Sequence, residues 1–355
     1  MTTNEKYMQR CLQLARKGEG FVHPNPMVGS VIVCNGKIIG EGYHRRYGGA
    51  HAEANAINSL KDRDLLSKST LYVSLEPCAH FGKTPPCAKL IVDCGIRKVV
   101  VAVADPNPLV SGKGMEILRN AGVEVIVGVL EAEAKMLNRA FFLNQTAKRP
   151  YVILKWAQSA DGFIDRNRIP GDGKVPAGFS NELSAMAVHR LRTQVQAIMV
   201  GTATARLDDP KLTSRLWFGE NPARVVIDKD GRLPGDAAIF NSDSDVVVFT
   251  AVSDYKMTGR NVKPITIDFE GDTNEQMLNE LYGLNIRSLM VEGGAQLLHS
   301  FIRKGLWDEA FVEVSPTILG AGVAAPEIDL LRADYECFQD NTRYHLKNET
   351  TQKFI

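Results

Sequence analysis

The sequence carries three potential metal ligands around one acidic residue. His51 opens a His-Ala-Glu triplet, Cys78 follows a proline, and eight residues separate Cys78 from Cys87. One imidazole and two thiolates form an accepted ligand set for zinc, and a catalytic zinc keeps its fourth position open for water. Glu53, two residues after the histidine, can carry protons between that water and a substrate nitrogen without binding the metal. The pattern therefore predicts hydrolytic deamination.

Two other interpretations use the same residues. A purely structural zinc site would be closed by a fourth protein ligand such as His80 or His44, with the rest of the chain a regulatory nucleotide binder. The acid two residues from the histidine argues against this, because a closed site needs no proton carrier. A deaminase acting on nucleic acid, with a C-terminal binding module, would need basic patches or stacking aromatics, and neither is evident in the sequence.

The elements that must position these residues follow from local pattern. Apolar residues recur at helical spacing from Tyr7 to Ala15, so a first helix should end at Lys17 or Gly18. The Asn35-Gly36 dipeptide between two β-rich runs predicts a hairpin, because both turn positions tolerate positive φ. We expect a three-layer α/β unit. Its other elements would be a helix over 52–59 and strands over 70–74, 98–104 and 123–128.

Length and composition set wider limits. A chain of 355 residues predicts two domains, and a net charge of +1 without a basic block makes an extended nucleic-acid surface improbable. No apolar run resembles a signal peptide or a membrane span, so we expect a cytoplasmic protein. The four cysteines outside the proposed zinc site are expected to be buried and reduced.

The second half should begin after Lys148-Arg149-Pro150, where a charged pair and a proline follow a helical stretch. An α/β alternation follows, with a helix over 182–196 whose apolar face carries Leu191 and Val195 and leaves His189 elsewhere. Further strands are predicted over 151–157, 197–201, 224–228, 245–250 and 287–292. Glu292-Gly293-Gly294 then precedes a helical pattern, where backbone N–H groups could approach a phosphate. The spacing lacks the dinucleotide fingerprint GxGxxG.

The first half resembles a known superfamily. His-x-Glu followed by Pro-Cys and a second Cys is similar to the zinc-dependent cytidine/deoxycytidylate deaminases, which usually place two residues between the cysteines. The longer spacing from Glu76 to Cys87 resembles the deaminase half of the bifunctional deaminase/reductase family of riboflavin biosynthesis. That resemblance implies pocket residues for a pyrimidine ribotide at Asn25, His44, Lys83, Asp105 and Asn107. The alternatives are turn formation for the two asparagines and solvated loop positions for His44 and Lys83.

The second half resembles the reductase half of the same family, which has a dihydrofolate-reductase-like fold and uses NADPH. Matching segments include Lys155-x-Ala157-x-Ser159-x-Asp161-Gly162 and Glu292-Gly293-Gly294, whereas a Ser-x-Trp element frequent before Ser180 is absent here. The resemblance implies cofactor contacts at Ala157, Thr204, Asp208, Gly294, Ala295, Gln296, Leu297, Leu298, His299 and Ser300. It implies substrate contacts at Ser180, Arg192, Leu212, Arg215 and Glu292.

Some of these roles have open alternatives. Lys155 or Glu292 would orient or protonate the carbonyl, without a choice between them. Arg192 suits a ribose phosphate because guanidinium binds phosphate bidentately, but it could be a solvated helix arginine. Asp208-Asp209-Pro210 could equally be a turn with an N-cap.

The sequence thus predicts a bifunctional enzyme that needs Zn²⁺ and NADPH. Residues 1–147 would deaminate a diaminopyrimidinone ribotide, with Glu53 as proton carrier while hydroxide attacks the amine-bearing C2 carbon. Residues 148–355 would then reduce the ribosyl group to ribityl. The expected partners are the small-molecule substrate and further copies of the chain, joined through the reductase half, with no nucleic acid and no membrane.

Overall fold

The structure is a computed structural model that describes residues 1–79, 85–107, 111–169, 171, 175–241, 243–256 and 261–352. The chain divides into two compact units, Met1–Ala147 and a second that begins at Lys148. Across the described ranges, no helix combines the length and the apolar character that crossing a membrane requires.

The first unit is built on a five-stranded sheet in the order β2-β1-β3-β4-β5. Its strands are β1 (Gly29–Cys34), β2 (Lys37–Tyr43), β3 (Thr70–Val73), β4 (Lys98–Val101) and β5 (Glu124–Val127). Strand β1 is antiparallel to both β2 and β3, and β3, β4 and β5 are parallel. The helices are α1 (Thr3–Ala15), α2 (Ala52–Asn58), α3 (Cys87–Asp93), α4 (Lys113–Asn120), α5 (Glu131–Leu137) and α6 (Arg139–Ala147), with 3₁₀ turns at Arg16–Gly18 and Leu66–Lys68.

Alternate residues of these strands enter two separate cores. Val31 and Val33 pack with residues of α1, α5 and α6 on one face of the sheet. Ile32, between them, packs with residues of α2, α3 and α4 on the other face. This two-residue period buries both faces, as a central sheet between helical layers requires. The predicted three-layer architecture is therefore confirmed.

Local sequence explains where these elements begin and turn. Thr2 and Glu5 form a capping box that starts α1, in which each side chain bonds the other residue's backbone N–H. Asn35 and Gly36 have φ values of 50° and 75°, so the turn between β1 and β2 uses the positive φ that this dipeptide tolerates. The predicted helix, hairpin and strands of this unit occur within a few residues of the expected bounds.

The second unit contains a nine-stranded sheet in the order β11-β10-β9-β8-β12-β6-β13-β16-β15. From β11 to β13 along this order, each strand is parallel to the next. Strand β16 is antiparallel to β13, and β15 is antiparallel to β16. The strands are β6 (Tyr151–Gln158), β8 (Ala197–Val200), β9 (Ala223–Ile227), β10 (Val246–Thr250), β11 (Val262–Thr266), β12 (Ser288–Gly293), β13 (Glu309–Val314), β15 (Asp334–Phe338) and β16 (Asn341–Lys347), with β7 (Phe163–Asp165) and β14 (Val323–Ala324) pairing separately.

The helices of this unit are α7 (Glu182–Gln194), α8 (Thr202–Asp208), α9 (Thr273–Gly283), α10 (Ala295–Arg303) and α11 (Glu349–Gln352). Helices α9 and α10 cover one face of the sheet, where Leu154, Val291 and Val312 meet Leu281 and Phe301 in the main core. The predicted α/β alternation and strand positions are confirmed. The face predicted for α7 is partly wrong: His189 is buried beside Val188 and Leu191 is only half-buried, whereas Val195 is buried at the C-cap as expected.

Candidate active sites

The three predicted metal ligands lie together. The Nδ1 atom of His51 is 3.5 Å from Sγ of Cys78 and 3.4 Å from Sγ of Cys87. Zinc bonds of about 2.0 Å to nitrogen and 2.3 Å to sulfur, at tetrahedral angles, place these atoms about 3.5 Å apart. The Cys87 N–H also donates to Sγ of Cys78 at 3.3 Å, which favours a thiolate. Among the described residues this is the one His, Cys, Asp or Glu group compact enough to hold a metal.

Close packing of a helix on the hairpin sets the position of the histidine and the acid. His51 is the N-cap of α2, and Glu53 lies in its first turn. A Cβ atom at Gly42 of β2 would be 2.2 Å from the Ala56 nitrogen and 2.4 Å from the Ala52 oxygen. Only glycine permits α2 to approach β2 this closely. The backbone contact thus fixes the helix start that carries both functional side chains.

Burial shapes the protonation of this cluster. Glu53 is 3% exposed, and burial followed by the nearby Cys78 sulfur raises the pKa of its carboxyl to about 7. The two thiols share one proton: donation from Cys87 lowers the pKa of Cys78 to about 4 and raises that of Cys87. A carboxyl that titrates near neutral pH is suited to accept and return a proton.

A cavity of ≈ 300 Å³ opens on this cluster and holds most of the predicted pocket residues. Its walls include Asn25, His44, His51, Glu53, Cys78, Asp105 and Asn107. Lys83 lies outside the described residues. The cavity size is at the lower end of the range for small-molecule sites. The structure therefore joins the zinc cluster to four of the five predicted pocket positions.

Both ring nitrogens of His44 are occupied. Nδ1 is 3.1 Å from the Ala50 carbonyl oxygen, and Nε2 is 3.1 Å from Nδ2 of Asn25. The carbonyl accepts from Nδ1–H and the amide donates to Nε2, which makes His44 a neutral imidazole. Burial also lowers the pKa of His44. His44 is therefore held as part of the pocket wall rather than as a fourth metal ligand, and the other suggested ligand, His80, lies outside the described residues.

Sequence reasoning missed several residues of the cavity. Phe141 and Gln145 reach it from α6, and Glu76 reaches it from the bend after β3. Glu76 directly precedes the Pro-Cys pair in the sequence, and this position could have indicated that it lies at the site. Nothing in the local pattern identified Phe141 and Gln145 of α6 as cavity residues, because they are distant in sequence from the metal ligands.

In the second unit, one lysine lies between two buried carboxylates. Leu154, Val291 and Val312 point into the core under α9 and α10, so their neighbours Lys155, Glu292 and Glu313 share the opposite face of the sheet. Burial lowers the pKa of Lys155, and the charges of Glu292 and Glu313 oppose that shift. Glu313, 1% exposed, was not predicted from the sequence. A strand residue that reads as solvent-facing in sequence is part of this polar cluster.

Two predicted substrate residues bind these carboxylates. Arg192 donates to both oxygens of Glu292 at 2.9 and 2.6 Å and to the Thr213 carbonyl at 2.8 Å. Burial tends to raise the pKa of Glu292, but Arg192 and then Lys155 hold it below its usual value. Ser180 donates to Glu313 at 2.8 Å. Arg192 is therefore not the solvated helix arginine of the alternative interpretation, and phosphate binding by Arg192 stays a prediction.

The remaining predicted substrate residues lie near α7. Arg215 is exposed, and its charge reaches His189, whose pKa burial and the two charges of Arg192 and Arg215 lower to about 4. Leu212 is 4% exposed and has a φ of 49°, so its side chain faces the protein interior. The substrate roles of Leu212 and Arg215 stay predictions.

Some predicted cofactor positions lie around Gly293 at the start of α10, and others lie further along α10 in the core. Thr204 packs against Gly293, where an added Cβ would be 2.7 Å from its methyl carbon, and Gly294 caps α10 with a φ of 84°. Leu297 and Leu298 lie in the main core, and the Ser300 hydroxyl bonds the Leu297 carbonyl. The helix predicted from Ala295 is confirmed. The cofactor contacts predicted for Leu297 and Leu298, whose side chains are largely buried, stay predictions.

Other cofactor predictions show different surroundings. The carboxylate of Asp208 pairs with Arg168, which also binds Asp165, so it already has a cationic partner. Ala157 lies on β6 opposite Glu313 of β13, on the sheet face that carries Lys155. Gln296 and His299 are exposed on α10. The cofactor contacts predicted at these positions stay predictions; Ala157, Thr204 and the first turn of α10 are partly exposed.

Comparisons with known families define the class of each half. Residues 1–103 match the cytidine and deoxycytidylate deaminase zinc-binding region, and residues 150–347 match the RibD C-terminal domain. The fold and the zinc-type cluster agree with a zinc-binding deaminase unit followed by a reductase unit.

Whole-chain relatives extend this result. The riboflavin biosynthesis protein RibD of Aquifex aeolicus is 41% identical over 92% of this chain and 91% of its own length. RibD of Escherichia coli is 34% identical over 90% and 89%. A Thermotoga maritima deaminase/reductase structure superposes with a TM-score of 0.87 at 38% identity, covering 98% of this chain and 99% of that one. Acinetobacter baumannii RibD gives 0.83 at 33%, covering 97% and 98%.

The chain belongs to the RibD family, the bifunctional deaminase/reductases of riboflavin biosynthesis. It is an enzyme with a small-molecule substrate. The alternative of a nucleic-acid deaminase with a C-terminal binding module is not supported, because that half matches the RibD C-terminal domain.

Proposed function

We propose that the unit of residues 1–147 deaminates a diaminohydroxyphosphoribosylaminopyrimidine and that residues 148–355 reduce the resulting 5-amino-6-(5-phosphoribosylamino)uracil, the two activities named for the Thermotoga maritima relative. The observation that carries this proposal is the cluster of His51, Cys78 and Cys87, open on a cavity beside buried Glu53. An open ligand position next to a proton carrier is the arrangement of a hydrolytic deaminase.

His51 and the two thiolates would hold zinc, which when bound supplies an acidified water at its fourth position. The carboxylate of Glu53 takes a proton from the attacking water and returns it to the departing ammonia. The pyrimidine lies in the cavity against Asn25 and His44, whose neutral Nε2 acceptor keeps the Asn25 amide in one orientation. The burial of Glu53 keeps this proton transfer away from bulk water.

In the reductase unit, the polar cluster around Lys155 would bind the opened ribose. Lys155 can donate a proton to the developing alkoxide, and the charges of Glu292 and Glu313 favour its protonated form. The Arg192 ion pair holds Glu292 in place. NADPH, when bound, supplies the hydride; Ala157, Thr204 and the first turn of α10 are the proposed cofactor contacts. Arg192 and Arg215 are proposed to bind the substrate phosphate, because guanidinium groups suit phosphate oxygens, and Lys83 is proposed as a substrate-binding residue from the family resemblance.

Four finer points belong to the same proposal. NADPH rather than NADH is proposed from the family resemblance. Self-association through the reductase unit and a cytoplasmic location are proposed on the same basis, with no nucleic-acid partner.

The test uses the purified full-length chain with zinc and the diaminopyrimidinone ribotide. Ammonia should appear without NADPH, and NADPH oxidation should begin only as the deaminated product accumulates. Chelation should stop ammonia release, and added zinc should restore it. Lys155→Met should abolish NADPH oxidation while ammonia release continues.

The matched control is Glu116→Gln. Glu116 is an exposed acidic residue in the first turn of α4. It should retain both activities. Ammonia release that survives complete removal of the metal would exclude the proposed deaminase chemistry. Supplying the uracil ribotide directly would test the reductase half independently.

A further inference from the structure

Glu76 has a role that the metal chemistry does not use. It lies in the bend after β3, two residues before Cys78, and is 6% exposed. It lines the cavity but is not within the metal-ligand group. A buried carboxylate requires compensation by hydrogen bonds or cations.

Four backbone N–H groups supply that compensation. One oxygen accepts from Asp105 at 3.1 Å and Gly112 at 3.0 Å, and the other from Gly114 at 2.9 Å and Met115 at 3.3 Å. Three of these donors belong to the start of α4, where the helix dipole favours a negative charge. The fourth belongs to a proposed substrate residue. One carboxylate therefore ties the helix to the pocket wall.

The hydrogen bonds from Glu76 also fix the next pocket residue, Asn107, through Asp105. The Asp105 carboxylate accepts from the Asn107 N–H at 2.8 Å, so fixing the Asp105 backbone also fixes Asn107. On the other side, α4 lies directly against the metal-binding segment: a Cβ at Gly114 would be 1.9 Å from the Pro77 carbonyl oxygen. Pro77 immediately precedes Cys78. The same helix start thus contacts the metal segment and is held by Glu76.

We propose that Glu76 is a positioning residue for the deaminase, which holds Asp105 and Asn107 at a fixed place relative to the metal ligand Cys78. It acts through backbone N–H groups and needs no contact with substrate. This inference rests on the proposed deaminase function. Loss of the carboxylate should therefore displace substrate contacts more than it disturbs the metal or the proton carrier Glu53.

The test variant is Glu76→Gln in the full-length protein. The amide keeps one oxygen but turns an NH₂ group toward two N–H donors, so two of the four hydrogen bonds are lost. Charged hydrogen bonds of this kind correspond to about tenfold each in an equilibrium. We expect KM for the ribotide to rise about tenfold or more, kcat to fall less than about threefold, and zinc content to stay at the wild-type level.

Two further variants separate positioning from simple stabilisation. Glu116→Gln removes a charge from the same helix turn without touching these donors, and it should leave KM unchanged. Glu76→Asp keeps the charge but is one methylene shorter. We expect Glu76→Gln to lower the melting temperature, because the start of α4 loses its negative charge, and Glu76→Asp to restore it. KM should stay raised in Glu76→Asp, because the shorter side chain no longer reaches the Asp105 N–H.

The reductase rate with the uracil ribotide, measured on the same samples, reports the amount of folded protein. Unchanged KM in Glu76→Gln overturns the proposal, as does loss of zinc with a fall in kcat alone. Recovery of both KM and melting temperature in Glu76→Asp overturns it too, since charge would then suffice. Absence of ammonia release in the wild-type protein would instead refute the deaminase function itself.

Discussion

Replacing Glu53 by glutamine separates metal binding from proton transfer. The amide has nearly the same size, and Glu53 is not one of the three ligand residues, so zinc should bind as in the wild-type protein. The variant cannot accept the proton of the attacking water. General acid-base catalysis contributes about 10²- to 10⁴-fold, so kcat for ammonia release should fall by that factor, equivalent to about 3–5 kcal/mol of barrier.

Although Glu53→Gln should lower activity, it should raise the stability of the metal-free protein above neutral pH. Because the pKa of buried Glu53 is raised from 4.5 to about 7 in the metal-free chain, its ionisation opposes folding increasingly as pH rises between those values. The full cost is at most about 3 kcal/mol at pH 8. Glutamine stays neutral, so the chelated variant should melt at a higher temperature than the chelated wild type at pH 8, and at a similar temperature near pH 4.

The assay combines zinc analysis, ammonia release at saturating substrate, and thermal melting with and without chelator. The reductase rate on the same samples should not change. Retention of more than about a tenth of wild-type kcat would refute the proton-carrier role, since so small an effect lies below that of general acid-base catalysis. Loss of zinc would show that Glu53 supports the metal instead.

Three other perturbations test other parts of the structure. Arg192→Leu leaves the Glu292 carboxylate buried without its cation, so it should destabilise the second unit by about 3–5 kcal/mol and abolish NADPH oxidation in the same assay that follows ammonia. Gly42→Ala places a Cβ against the backbone of α2, so it should cost about 1–3 kcal/mol by thermal melting and lower zinc content. His189→Gln removes a group whose pKa is depressed from 6.5 to about 4; the wild type should lose up to about 3 kcal/mol as pH falls between those values, and the variant should lose less in parallel denaturant titrations.

Much of the fold could be predicted because its signals are local. The turn at Asn35-Gly36 needs only two residues with positive φ, and the first helix needs only its apolar spacing and cap. The metal ligands were equally visible, since their chemistry restricts the residue types. These features depend on neighbours in the sequence, and for that reason they were found without the structure.

The missed features depend on contacts between distant residues. Glu76 bonds N–H groups about 30 or more residues later, and Arg192 pairs with Glu292 across a sequence separation of 100. The helical spacing left His189 off the predicted apolar face of α7, but the loop after α8 covers it, with the Leu216 N–H donating to its ring. Leu297 and Leu298 belonged to the core because tertiary packing, rather than motif spacing, decides which face of α10 is buried.

The two sides of the deaminase cavity differ in how far they tolerate change. Residues near the metal are confined by backbone contacts, as at Gly42 and Glu76, where even one added or lost atom disturbs several elements. Phe141 and Gln145 instead project from α6 as ordinary helix side chains, and each can be exchanged without altering a backbone bond. Efforts to redirect this enzyme toward other pyrimidines should therefore randomise that helix first and leave the hairpin and the cysteine segment intact.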